Sequence, residues 1–144
     1  MRRELYKAIC NKLKGIGDGK IKHVDLWNRN IEFIEQEEAW ERPAVFIEFG
    51  PISWEQTAGK VQRGSALVRL HIVTDWQGSA ADGSEEQDAS LAVFDYSQMI
   101  QCALDGLSGD KFHALQLVET NTNHDHEDIV ESIEVYKLRG FRQV

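Results

Sequence analysis

Apolar residues near the start of the chain recur at helical spacing. Leu5, Ile9, Leu13 and Ile16 share one side, and Lys7, Asn11, Lys12 and Lys14 take the rest of the circumference. This predicts an amphipathic helix over residues 4–16, stopped by the glycines of GIGDGK at 15–20. A second stripe runs through Ala92, Tyr96, Met99, Ala103 and Leu107, flanked by Val93, Ile100 and Leu104. It predicts a helix within 89–107, with Asp88 as N-cap and Gly106 at its end. Leu91 and Phe94 widen that apolar face, so the helix can pack on a sheet and still touch something further, such as another subunit.

Elsewhere the period is two. Ala66, Val68, Leu70 and Ile72 face one way, Arg69 and His71 the other, and this is the cleanest strand signal in the chain. AVFIEFG at 44–50, opened by Pro43, supplies the first arm of a hairpin that turns at Ala58-Gly59-Lys60 and continues to residue 76. IKHVDLW at 21–27 reads as a short strand, and 28–43 as an acidic loop with one helical turn. KFHALQLVET at 111–120 and IVESIEVYKLRGF at 129–141 form a final antiparallel pair. In the last strand Ile133 and Val135 give way to Tyr136 and Leu138, which requires a bulge or burial on both faces. The order predicts an α+β fold: a single antiparallel β-sheet with a long hairpin, covered by two main helices on one face. Residues 1–144 form a single domain, with the hairpin arm at about 44–76 and a mobile, small and acidic loop at about 77–88.

Net charge is −8 and the bases are scattered, which argues against general or sequence-specific nucleic-acid binding. No apolar run approaches the ~18 residues of a membrane span, and MRRELYKAIC has no apolar core for a signal peptide. The expected site of synthesis is the cytoplasm. Cys10 and Cys102 lie in the two helices, form no CxxC, and read as small buried hydrophobes. His71 reads as a solvated or cross-strand residue.

Candidate chemistry concentrates at His124-Asp125-His126-Glu127-Asp128. Two imidazoles at i, i+2 in extended chain point to one side, and Asp128 or His113 could add a third ligand. The spacing fits no HExxH, deaminase or EF-hand pattern, and the stretch has no apolar wall to shape a cavity. A charged strand entry is the better reading. GIGDGK follows a helix and ends in Lys20-Ile21, so it is no phosphate loop. Glu37-Glu38 and Glu85-Glu86 sit in polar segments with nothing to raise a carboxyl pKa. No catalytic, cofactor-binding or metal residue is therefore assigned, no cofactor is expected, and the chain reads as a non-enzyme.

The tryptophans at 27, 40, 54 and 76 all fall at the edges of elements, where they close a core or anchor an interface. SWEQTAGKVQRG around Trp54 is too polar for a core, and a two-stranded arm is weak alone. Trp54, Gln56, Lys60 and Arg63 on the arm, with Leu91 and Phe94 on the second helix, are the expected subunit-interface residues.

Laid out in this order, the chain resembles the tail-completion, or tail-terminator, proteins of tailed bacteriophages and prophages. The shared plan is a helix (ELYKAICNKLKGI), a proline-opened strand (RPAVFIEFG) and a polar hairpin leading through glycine into RGSALVRLHIVTDW. A helix (ASLAVFDYSQMIQCAL) and a strand pair joined by an Asp/His-rich connection complete it. The resemblance implies a structural virion protein made in the bacterial cytoplasm. Such a protein assembles with itself as a ring, expected to be hexameric, caps the tail-tube protein and meets the head-connector proteins. An acidic balance suits a channel that DNA traverses. The alternatives are a head–tail joining (neck) protein and, further off, a metal-dependent enzyme using His124 and His126.

Overall fold

Leu5, Ile9 and Leu13, spaced four apart, are all fully buried and lay helix α1 (Arg2–Lys14) on the sheet. In the computed structural model residues 1–28, 30 and 40–144 are described. Most of the acidic loop expected at 28–43, with the Glu37-Glu38 pair, lies outside them. After α1 a 3-10 turn, Ile16–Asp18, carries Gly17, Asp18 and Gly19 through positive φ (57°, 56° and 78°). Glycine at two of three left-handed positions explains why the helix stops there.

Among the described residues five strands form one sheet in the order β1-β2-β3-β5-β4. They are β1 (His23–Leu26), β2 (Ala44–Gln56), β3 (Val61–Asp75), β4 (Phe112–Asn123) and β5 (Ile129–Gln143). All pairings are antiparallel except β1 with β2, so the sheet carries one parallel edge strand that the pattern of the short segment 21–27 could not reveal. The hairpin turns at 57–60, as the glycine there requires. β3 pairs with β5 without interruption from Val61↔Gln143 to Asp75↔Ile129.

That register corrects the expectation of a two-stranded arm. The third strand, β5, runs the full length of β3 and clamps it inside the protomer. The apolar switch in β5 also has its explanation here. The strand is internal and buried on both faces, with Tyr136 and Leu138 toward the helices and Val135 toward the other side. The register shifts lie elsewhere, at Phe49/Ile52 in β2 and at two places in β4.

The second helical segment is broken. A short α2 (Gln87–Ser90) precedes α3 (Ala92–Leu104), with Leu91 at the joint. Asp88 sits in the first turn of α2 and makes no side-chain cap, so the expected N-cap is not formed. Val93, Ile100 and Leu104 are buried against Val68, Leu70, Ile72 and Tyr136. Cys102, two positions past Ile100 on the far side of α3, is exposed, and Cys10 is half-buried; both thiols are free. Cys102 is thus not the buried hydrophobe expected. α1 and α3 cover one face. On the opposite face Ala44, Phe46, Val73 and Ile129 form a second apolar cluster at one end, with Trp27 and Trp40 packed against it.

Candidate functional site

The hairpin tip brings together four of the six residues expected at an interface. Trp54 pairs across from Gly64 and Glu55 across from Arg63, so Trp54 and Arg63 emerge on opposite faces. Gly64 is needed for this. A Cβ there would stand 2.8 Å from Ile52 Cγ2 and 2.9 Å from Trp54 Cε3, so only glycine lets the indole cross the strand. The Arg142 guanidinium lies 4.3 Å from the centroid of the Trp54 ring and covers its outer side. Gln56 donates to the Gly59 carbonyl, and the Val144 N–H donates to the Lys60 carbonyl at 2.7 Å, which ties the end of the chain to the turn. Arg63 is exposed beside Ser53, Ser65 and Arg139.

Leu91 and Phe94 are the other two. They stand at the α2–α3 joint, 37% and 55% exposed, with no role in the protomer core. Helix α3 runs from this joint past Ser97, which reaches the middle of β5, to Gly106, whose N–H donates to Leu115 on β4. The two groups therefore occupy opposite ends of the sheet and are not brought together within one protomer.

His124 and His126 lie in the connection between β4 and β5, the first exposed and the second half-buried. Among the described residues no group of three His, Cys, Asp or Glu side chains is arranged to hold a metal ion. His113, on β4, packs edge-on against Phe141.

Two polar networks escaped the sequence. On the face away from the helices, His71 is only 5% exposed, which overturns a solvated reading and keeps the cross-strand one. Its Nδ1 lies 2.7 Å from Glu131 Oε2 and its Nε2 2.7 Å from Glu48 Oε1. Asn123 donates to the second oxygen of Glu131 at 2.6 Å, and the Trp27 indole stacks on the imidazole. With both nitrogens engaged and the ring face covered, His71 has no atom left for a substrate. It joins β2, β3 and β5.

Under α3, Glu134 is 1% exposed and accepts hydrogen bonds from Ser97 (2.5 Å), Thr120 (2.6 Å) and Ser132 (2.8 Å). The neighbouring Tyr136 hydroxyl is buried with no partner among the described residues. Burial first, and the Glu134 charge second, push its pKa up. Burial likewise pushes Tyr6 up to about 12, helped by Cys10 beside it, and raises the Cys10 thiol. Glu131 and Glu134 did carry a signal: two carboxylates inside the otherwise apolar IVESIEVY, three apart and hence on opposite faces of a strand.

No protein-family model matches this chain, and no curated protein is similar to it. Among solved structures, the fold is similar to a chain of the "Virion of native gene transfer agent (GTA) particle". The match has a TM-score of 0.57 and 13% identity, and it spans 96% of this chain and 95% of the other. At that identity the likeness establishes a shared α+β fold from end to end.

Proposed function

We propose that this chain is a structural component of a phage-like virion, and within it the terminator that caps the tail tube. The observation that carries the reading is the likeness, across nearly the whole of both chains, to a chain of a virion particle. The two separated surface groups support the same reading. A ring is built from heterologous contacts, in which one patch meets a different patch until the rotation closes. Trp54, Gln56, Lys60 and Arg63 at one end of the sheet and Leu91 and Phe94 at the other are two such patches. In this role the protein is made in the bacterial cytoplasm and becomes part of the particle. It assembles with itself, in six copies or a similar number, and then binds the tail tube on one side and the head connector on the other.

The test is reconstitution with the tail-tube protein encoded nearby, read by sedimentation and negative-stain electron microscopy. Rings of this protein at the ends of tubes that have stopped growing are the expected result. A strict monomer beside tubes that elongate freely would overturn the proposal. Rings that bind the connector and ignore the tube would assign the chain to the head–tail joint instead.

A further inference from the structure

Charge is laid out along this chain in blocks. Residues 70–110 contain eight Asp and Glu and no Lys or Arg, and residues 112–136 contain six more, again with no Lys or Arg. The fold exposes much of this acid at one end of the sheet. The loop that leaves β3 carries Asp82, Glu85 and Glu86, and the connection entering β5 carries Asp125 and Glu127, all exposed. A hydrogen bond from Trp76 N–H to the Asp128 carbonyl, 3.0 Å long, holds the roots of the two loops together.

The other end has the opposite character. There, among the described residues, the sheet face away from the helices is uncovered and forms a groove of ≈ 770 Å³ between Ser53, Ser65, His113 and Gln116. Lys137 and Arg139 rise from its floor, exposed, opposite Leu67 and Ser65 on β3. Arg63 continues the strip, and Glu55 is the carboxylate beside it. The cations alternate along strands at ~7 Å, flanked by hydroxyl and amide donors, so the groove is a cradle for carboxylates on an extended segment.

We infer that this basic groove receives the acidic loop around Asp82, Glu85 and Glu86 of a second copy of this chain. The inference rests on the self-assembling reading above and names the surfaces that meet. Charge complementarity selects the occupant, since each copy carries both halves at opposite ends. Reach selects the loop. Residues 76–86 lie between Asp75 and Gln87 outside any helix or strand, whereas the connection at 124–128 is shorter. A single exposed ion pair contributes little. Matched blocks of charge set orientation and association rate, and make the contact sensitive to salt.

Sedimentation velocity on the whole chain at low salt and at about 0.5 M salt tests this, since high salt shortens the screening length severalfold. Self-association is expected to weaken in high salt. Lys137→Glu/Arg139→Glu and Glu85→Lys/Glu86→Lys are each expected to weaken it about tenfold, about 1.4 kcal/mol. All four positions are exposed, and thermal melting confirms that each variant folds. Mixing the two variants pairs a reversed groove with a reversed loop and is expected to restore association. Weakening by each variant without restoration in the mixture, or no weakening by either, would overturn the groove-and-loop pairing while leaving self-assembly intact. A wild-type chain that stays monomeric at low salt would overturn the self-assembling reading itself, and this inference with it.

Discussion

The indole of Trp27 lies flat on the imidazole of His71, with ring centroids 3.8 Å apart and planes 2° from parallel. The same imidazole sits between Glu48 and Glu131, so one side chain joins three adjacent strands and roofs them with a fourth segment.

Removing His71 leaves Glu131, 1% exposed, with Asn123 but without its imidazole partner. Breaking a buried pair by deleting one partner costs about 3–5 kcal/mol, because the remaining charge stays desolvated. Glu48 is more accessible and lowers that figure toward its bottom end. His71→Ala is expected to lose about 3 kcal/mol in urea unfolding. His71→Phe keeps the stack on Trp27 without the hydrogen bonds and is expected to recover little. A loss below about 1 kcal/mol would mean that solvent already screens the pair as it does on an open surface.

Tyr136 and Tyr6 make the fold sensitive to alkali. Both phenols hold their protons more tightly in the folded chain than at the ordinary value of 10.0, Tyr6 up to about 12 and Tyr136 further. Raised folded values mean that the stability these groups contribute is complete below pH 10.0 and drains as pH climbs through about 12. The thermal midpoint should therefore stay flat with respect to the phenols up to pH 10.0 and fall above it. Tyr136→Phe should remove part of the fall. At neutral pH the same substitution deletes a buried hydroxyl that lacks a partner, so it is expected to be neutral or stabilising. A loss above about 1.5 kcal/mol at pH 7 would show that the hydroxyl is hydrogen-bonded after all.

Two glycines should respond in opposite directions. Gly64→Ala drives a methyl into Ile52 and Trp54 and is expected to cost about 1–3 kcal/mol and to shift tryptophan fluorescence as the indole leaves Arg142. Gly15 has helical angles (φ −85°, ψ −5°) and open space, with Lys12 O at an ordinary 3.7 Å. Gly15→Ala is therefore expected to stabilise by about 0.4–1 kcal/mol, by restricting the unfolded chain. Parallel melts of the two variants check both signs, and a stable Gly64→Ala would contradict the crowding at the hairpin.

Phe94→Ser and Leu91→Ser change exposed side chains at the α2–α3 joint. Each is expected to leave protomer stability within about 0.5 kcal/mol of wild type while lowering the assembled fraction in sedimentation. A large drop in melting temperature would instead place these side chains in the protomer core.

The sequence alone settled the elements whose pattern repeats. Leu5, Ile9 and Leu13 at helical spacing and Ala66 to Ile72 at strand spacing announce where they are buried, because periodicity is a property of the local backbone. The ambiguity at Ile133 to Leu138 was also legible, and burial on both faces was one of its two solutions. The turn at Gly59 and the glycine stop after α1 followed from backbone conformation, which is equally local.

What only the tertiary structure decided depends on which strands lie side by side. β5 inserts between β3 and β4, and that non-local pairing turns a weak two-stranded arm into the centre of the sheet. It also places Glu131 against His71 and Glu134 beneath Ser97, across separations of 60 and 37 residues. No periodicity encodes such a meeting. A carboxylate in a strand looks the same in sequence whether water, a histidine or a ring of hydroxyls will satisfy it, because the energy that fixes its partner arises only once the chain has closed around it.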